Sequence, residues 1–292
     1  MTKVAALLPA FRLSKDEINK VIAQIPQDFE LPLVVLNDDE EAITQYLYNL
    51  AQSQKIRFLR IPYQVGKTEA IRQGLKLLLQ ESSAKLIAQI DGRSKQPAWQ
   101  LALLAEKISK DQVDMVIGDR YANQNMVGQD HRKAGTGLMG LMVKHLTGYD
   151  LPDAVCGTRV YVRELAIQFL NMRCFGYGAE LEQILIAAIH SGKVSSYPLE
   201  TNRQADLTNT EKIEDNVFTL LNYASEIGMS DTVRSTLSFI LSQLKRRKTF
   251  DVDLSVFGGD KIVRLKYLGV QESIVDAYTD QIARDAYTAS KP

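Results

Sequence analysis

The sequence contains few of the residues that build disulfide frameworks and zinc sites. Its 292 residues include only two cysteines, Cys156 and Cys174, and three histidines that are scattered along the chain. Two thiols make no disulfide framework and are typical of a reducing cytoplasm, and scattered histidines predict no zinc-type cluster. With 45% hydrophobic residues, the chain has ample material for a packed core. We therefore expect a cytoplasmic protein without structural metal.

Net charge and long apolar runs are also missing. Lys and Arg balance Asp and Glu at 35 each, so the formal net charge is zero, which argues against duplex nucleic acid as a partner. No apolar run approaches the length of about 20 residues that a membrane-spanning helix needs. Residues 1–9 are too short an apolar stretch, ended too soon by Pro9, to predict a signal peptide. Peripheral contact with the inner face of a membrane and assembly into a homo-oligomer stay open.

Strand-like and helix-like segments alternate through the first 120 residues. The predicted strands cover residues 4–8, 33–36, 56–61, 85–90 and 113–117. This alternation predicts βαβ units and a mainly parallel sheet flanked by helices. After Arg203 a polar stretch is followed by two amphipathic segments, so we predict an α/β domain over residues 1–205 and a helical C-terminal appendage over residues 206–292.

Charged residues stand where predicted strands end. Asp91 follows the apolar strand 86–90, at the edge where open α/β sheets bind ligands, and Arg93 comes two residues later. Asp38 also ends a strand, and it can accept a hydrogen bond from a base or cap the helix that follows. Arg120 follows a third strand, and with Arg132 in the basic segment 131–133 it can clamp a phosphate. The alternatives are a turn-forming aspartate and solvated loop charges.

Glycine and lysine open one of the helices that leave this edge. Gly66 and Lys67 precede the helical pattern 67–79. The free N–H groups of a helix start suit an anion or the polar edge of a ligand. The alternative is a glycine turn with a solvated lysine.

Seven short motifs follow one another between residues 8 and 182. They read Leu-Pro-Ala-Phe at 8–11, Val-Leu-Asn-Asp-Asp at 35–39, Gly-Lys-Thr-Glu-Ala at 66–70, Asp to Pro at 91–97, Asp-Met-Val-Ile-Gly-Asp-Arg-Tyr at 114–121, Leu-Thr-Gly to Cys-Gly-Thr-Arg at 146–159, and Gly-Tyr-Gly-Ala-Glu-Leu-Glu at 176–182. In this order they resemble the family-2 glycosyltransferases of the GT-A fold, a Rossmann-like α/β fold, and in particular the dolichol-phosphate mannosyltransferase-like enzymes that act on polyprenyl phosphates. The resemblance covers about residues 3–203.

The resemblance implies an inverting transfer of a hexose from a UDP- or GDP-linked sugar to a polyprenyl phosphate or a small soluble acceptor. The donor-binding residues it implies are Pro9, Ala10, Phe11, Asp38, Gly66, Lys67, Asp91, Arg93 and Arg120. The acceptor-binding residues are Arg132, Arg159, Glu180 and Glu182. The catalytic residues are Asp91 and Asp153, of which Asp153 is the first choice for a general base or an acceptor contact.

Arg93 departs from the family pattern, which has a second metal-binding aspartate at this position. A guanidinium beside Asp91 repels Mg²⁺, since two unit charges about 4 Å apart interact by about 4 kcal/mol at an effective dielectric of about 20. We therefore expect no bound metal, with Arg93 stabilising the charge that develops on the leaving diphosphate. A weak Mg²⁺ or Mn²⁺ site on Asp91 is the first alternative. The second is a catalytically silent GT-A protein that binds a nucleotide sugar or a partner enzyme.

Overall fold

The computed structural model describes residues 2–37, 40–62, 65–91, 96–122, 130–174, 176–200, 210–245, 250–257 and 262–265. A seven-stranded sheet lies at the centre of the fold, in the order β3-β2-β1-β4-β6-β5-β7. Its strands are β1 (Val4–Ala10), β2 (Glu30–Asn37), β3 (Arg57–Ile61), β4 (Leu86–Gln89), β5 (Met115–Asp119), β6 (Arg159–Val162) and β7 (Val194–Pro198). Only β6 runs antiparallel to its neighbours in this sheet, which confirms the mainly parallel sheet that the sequence predicts.

Helices cover the sheet and extend beyond it. They are α1 (Lys15–Ile22), α2 (Glu41–Gln52), α3 (Lys67–Glu81), α4 (Leu101–Asp111), α5 (Asp130–Thr147), α6 (Arg163–Gln168), α7 (Ala179–Ile189), α8 (Thr210–Asn222) and α9 (Asp231–Lys245). Two reciprocal hydrogen bonds close the start of α1. Ser14 Oγ accepts from the Glu17 amide at 3.2 Å, and the Glu17 carboxylate accepts from the Ser14 amide at 2.8 Å. This reciprocal pair is a capping box, which satisfies two donors that a helix start leaves without partners.

The core lies between the sheet and the helices. Strands β1, β2, β4 and β5 are buried almost throughout. Helices cover both faces of a parallel sheet, which is why its strands are near-continuous apolar runs. Because these parallel strands point the same way, their carboxyl ends form one edge. Of the predicted site residues that the structure describes, Pro9, Ala10, Lys67 and Asp91 lie at this edge.

The predicted appendage is helical in α8 and α9 and also contains an antiparallel pair of short strands, β8 (Phe250–Asp253) and β9 (Ile262–Leu265). Helix α8 packs on α7, and its buried residues Val217 and Leu220 belong to the same apolar cluster as the sheet. The predicted boundary between residues 205 and 206 lies outside the described residues, so the division into two domains stays a prediction. None of the described helices is both long enough and apolar enough to cross a bilayer.

Candidate active site

An ammonium group lies between two carboxylates at the carboxyl edge of the sheet. Lys67 Nζ is 2.7 Å from Asp91 Oδ1 and also donates a hydrogen bond to Glu180 Oε1. The Lys67 side chain is 21% exposed, that of Asp91 38% and that of Glu180 only 6%. Burial alone would lower the pKa of Lys67, but the Asp91 and Glu180 carboxylates outweigh it and hold that pKa above its ordinary value. The amine is therefore a fixed positive charge.

Asn37, the last residue of β2, fixes the start of α3 and with it Lys67. Its Oδ1 accepts from the Val65 amide at 2.9 Å, and its Nδ2 donates to the Gly66 carbonyl at 3.2 Å. Gly66, the residue that precedes α3, has a φ of 81°, in the left-handed region that glycine adopts without strain. Sequence reasoning missed Asn37, although its position at the end of an apolar strand was a usable signal.

The Asp91 carboxylate lies close to a second residue that the sequence analysis does not single out, Gly157. A Cβ on Gly157 would lie 2.4 Å from Asp91 Oδ2, so only glycine leaves room for the carboxylate in this position. Gly157 lies within the Cys-Gly-Thr-Arg motif that ends at Arg159, the first residue of β6. The motif therefore shapes the Asp91 side of the site through its backbone.

The carboxylate of Asp153, the predicted base, forms an ion pair with an arginine. Arg120 Nε donates to Asp153 Oδ2 at 2.6 Å and Arg120 Nη2 donates to Oδ1 at 2.7 Å, which makes a bidentate pair. The Asp153 side chain is 0% exposed, so an acceptor cannot reach it in this arrangement. Burial alone would lower the pKa of Arg120, but Asp153 holds it well above its ordinary value. The geometry favours a structural pair over the predicted roles of general base and phosphate ligand.

Asp119, the last residue of β5, lies beside this pair. Burial, reinforced by the charge of Asp153, raises the pKa of the Asp119 carboxyl from 3.8 to about 6, although its Oδ1 accepts a hydrogen bond from the Tyr121 amide at 2.8 Å. A carboxyl whose pKa is raised on folding binds its proton more tightly in the folded state. It therefore lowers the stability of the fold as the pH rises through the interval between the two values.

The Asp119→Asn variant should remove this pH dependence. From about pH 4 to about pH 7, its free energy of unfolding should rise relative to the wild type by up to about 3 kcal/mol, because each pKa unit is worth about 1.4 kcal/mol. Urea unfolding of both proteins at several pH values measures the difference. A difference that stays constant with pH, or that moves against the variant, would contradict the assignment.

Arg159 does not contact the open part of the site. It is fully buried, and it donates to the Glu180 carbonyl at 2.8 Å and, through Nε, to the Cys156 carbonyl at 3.1 Å. Burial lowers its pKa from the ordinary value. The structure thus does not support the prediction that Arg159 binds an acceptor, because its guanidinium joins the 154–156 turn to the first turn of α7.

Glu182 is likewise turned inward. Its carboxylate is fully buried and accepts hydrogen bonds from the Arg173 and Cys174 amides and, at 2.6 Å, from the Tyr223 hydroxyl. These contacts tie α7 to the chain before it and to the segment that follows α8. The geometry does not support the predicted acceptor role of Glu182, because its carboxylate is used up in these internal hydrogen bonds.

Removing the Tyr223 hydroxyl takes away one of the hydrogen bonds that the buried Glu182 carboxylate accepts. Tyr223→Phe should lower the free energy of unfolding by about 1.5–3 kcal/mol, the usual range for a hydrogen bond to a charged group. Tyr48→Phe is a matched control, because the Tyr48 side chain is 46% exposed and packs edge-on against Phe58. Denaturant unfolding compares the two, and equal losses would refute the assigned role.

The remaining predicted residues fall into two groups. Pro9 and Ala10 end β1 at the same edge, and the neighbouring Phe11 ring lies 5.0 Å from the Arg12 guanidinium. Asp38 and Arg93 lie outside the described residues. Arg132 belongs to α5 rather than to a loop, and its side chain is also outside the described part.

The described residues include no metal site made of protein ligands alone. Mg²⁺ prefers an octahedral set of oxygen ligands. In the described part of the chain no three His, Cys, Asp or Glu side chains form a group that could hold a metal ion. The Lys67 ammonium lies against Asp91 Oδ1 and weakens any cation site that Asp91 would form without a second carboxylate.

Comparison with known proteins agrees with this fold. Residues 16–170 match the family model described as glycosyl transferase family 2. No curated protein sequence matches significantly. Among solved structures, glucosyl-3-phosphoglycerate synthase from Mycobacterium tuberculosis in complex with phosphoglyceric acid superposes with a TM-score of 0.60 at 15% identity, over 79% of this chain and 82% of that one.

A second structure of the same enzyme, with Mn²⁺, UDP and glucosyl-3-phosphoglycerate, gives a TM-score of 0.59 at 14% identity, over 94% of this chain and 91% of that one. At identities this low the superpositions show the GT-A fold alone. The specificity for a polyprenyl phosphate stays a prediction. Because the family model spans more than half of the sequence, the chain belongs to glycosyl transferase family 2.

Proposed function

We propose that the chain transfers a hexose, with inversion, from a nucleoside-diphosphate sugar to an acceptor, and that the charge of the diphosphate is met by side-chain cations. An acceptor oxygen attacks the anomeric carbon, and the bond from that carbon to the diphosphate oxygen breaks. The nucleoside diphosphate leaves with the electron pair, so negative charge grows on it in the transition state. Fixed positive charge near that oxygen lowers the barrier.

The single observation that carries this proposal is the Lys67 ammonium held between Asp91 and Glu180. Lys67 begins α3, whose first N–H groups also favour an anion. Two carboxylates keep the amine charged and aimed at the edge of the sheet, as a preorganised site requires. Arg93, outside the described residues, is the second cation that we assign to the diphosphate.

The acceptor that we favour is a small soluble molecule. The solved structures with this fold include complexes of glucosyl-3-phosphoglycerate synthase with phosphoglyceric acid and with glycerol 3-phosphate. A hydroxyl acceptor must lose its proton. Of the predicted site carboxylates, Asp91 is more exposed than Asp153, Glu180 and Glu182, so we assign it the contact with that hydroxyl. A polyprenyl phosphate, whose oxygen is already anionic, is the second choice.

A screen of nucleotide sugars by thermal unfolding tests the donor. A ligand at about 100 times its dissociation constant should add about 2.7 kcal/mol to the free energy of unfolding. We expect one UDP- or GDP-sugar to stabilise the protein with or without Mn²⁺. If calorimetry detects no nucleotide sugar bound under either condition, the proposed function is wrong.

One observation favours a catalytically silent binding protein as the second candidate. Asp153, the carboxylate that the family motif offers as a base, is buried against Arg120. A silent protein would bind the donor but transfer nothing to phosphorylated small molecules, to polyprenyl phosphate or to water. Product analysis after donor binding has been shown separates the two candidates.

A further inference from the structure

Helix α8, from the predicted appendage, contacts the loop that precedes α7. The Tyr177 amide donates to Asp215 Oδ2 at 2.8 Å. Gly176 has a φ of 70°, and a Cβ on it would lie 2.3 Å from the same oxygen. The Asp215 carboxylate therefore contacts the loop at a point that admits no side chain.

A second contact lies one turn further along α8. Thr219 Oγ1 donates to the Asp215 carbonyl at 2.7 Å, and a Cβ on Gly178 would lie 2.1 Å from that hydroxyl. Positions four apart share one face of a helix. Gly176 and Gly178 therefore pack against Asp215 and Thr219, which lie one turn apart on the same face of α8.

The opposite side of the loop faces the start of α3. A Cβ on Gly66 would lie 3.2 Å from the Gly176 nitrogen, and Thr68 Oγ1 donates to the Gly176 carbonyl at 3.4 Å. Lys67 lies between Gly66 and Thr68 in the chain, and Glu180 follows the loop in the first turn of α7. The loop thus lies between α8 and the two elements that carry the Lys67–Glu180 pair.

We infer that Asp215 is a positioning residue for the donor site. By holding the 176–178 loop, it fixes the separation of α3 and α7, on which the contact between Lys67 and Glu180 depends. It acts through other residues and does not itself reach the reacting atoms. The inference rests on the proposed function only for its donor-binding consequence, because the effect on the ion pair follows from the geometry alone.

The test uses the full chain with Asp215→Ala. Exchange of the Tyr177 amide hydrogen should become about tenfold faster, the factor that corresponds to losing a hydrogen bond to a charged acceptor. Reductive methylation of Lys67 should also accelerate, because the amine is no longer held against Glu180. The affinity for the nucleotide sugar found in the screen should fall about tenfold if the site loses its fixed cation.

Two further variants separate positioning from mere folding. Asp215→Asn keeps an oxygen acceptor for the Tyr177 amide and should return exchange, methylation and donor affinity most of the way to the wild type. Asp231→Asn, an exposed change in the first turn of α9, removes the same charge elsewhere in the appendage and should alter none of them.

The readouts also separate this inference from the proposed function. Wild-type exchange at Tyr177 or wild-type reactivity of Lys67 in Asp215→Ala would overturn the inference, and so would unchanged donor affinity despite faster exchange. If the wild type binds no nucleotide sugar, the proposed function fails. Exchange and methylation then still decide whether Asp215 positions the ion pair.

Discussion

Replacing Lys67 by methionine should slow sugar transfer by about 100- to 1000-fold, the loss seen when one preorganised donor to a developing negative charge is removed. Methionine keeps most of the unbranched apolar stem of lysine and removes the charge and its hydrogen bonds. The diphosphate would then leave without the cation that lies between Asp91 and Glu180. Steady-state transfer rates with the identified donor measure the effect.

A double variant distinguishes this electrostatic effect from loss of stability. In Lys67→Met, the largely buried Glu180 carboxylate loses its cation, so some stability is lost as well. Adding Glu180→Gln removes the uncompensated charge and should restore stability but not transfer. Lys144→Met, which breaks an exposed pair with Asp150, is the matched control for loss of a lysine charge. Transfer at the wild-type rate by the double variant would contradict the role assigned to Lys67.

Changing Arg93 to aspartate should make donor binding depend on a divalent metal. The substitution restores the family's Asp-x-Asp pattern beside Asp91 and replaces a repelling guanidinium by a second oxygen ligand. Arg93→Ala, which only removes the cation, should weaken donor binding by about 1.5–3 kcal/mol without creating a metal requirement. Calorimetric titration of both variants, with Mn²⁺ and with EDTA, measures the two effects.

Lys95→Asp is the matched control for this change. It reverses a charge in the same loop but places the carboxylate two residues outside the Asp-x-Asp spacing. We therefore expect Lys95→Asp to gain no dependence on Mn²⁺. If Arg93→Asp binds the donor equally well in EDTA and in Mn²⁺, or if Lys95→Asp behaves in the same way as Arg93→Asp, the charge of Arg93 is not what excludes the metal.

The sequence predicts which residues lie at the edge of the sheet but not which of them face the site. Alternating strand and helix patterns place Lys67, Asp91 and Glu180 at the ends of elements, and the structure brings these three together. Motif membership alone also selects Arg159 and Glu182, which the fold turns inward to satisfy buried backbone groups.

This difference has a physical reason. The partner of a charged side chain depends on how distant elements pack, as the separation of 113 positions between Lys67 and Glu180 shows. Local periodicity carries no information at that range. The same limit explains why the contacts of Asn37 with the start of α3, and of Asp215 with the 176–178 loop, became visible only in the structure.

We propose that protein cations replace a divalent metal at the donor diphosphate. Titrating the wild-type protein with its nucleotide-sugar donor, first after treatment with EDTA and then with added Mn²⁺, shows whether the donor needs a metal. We expect the two dissociation constants to agree within about threefold, a difference of about 0.6 kcal/mol. Donor binding that appears only with Mn²⁺ and vanishes in EDTA would contradict it.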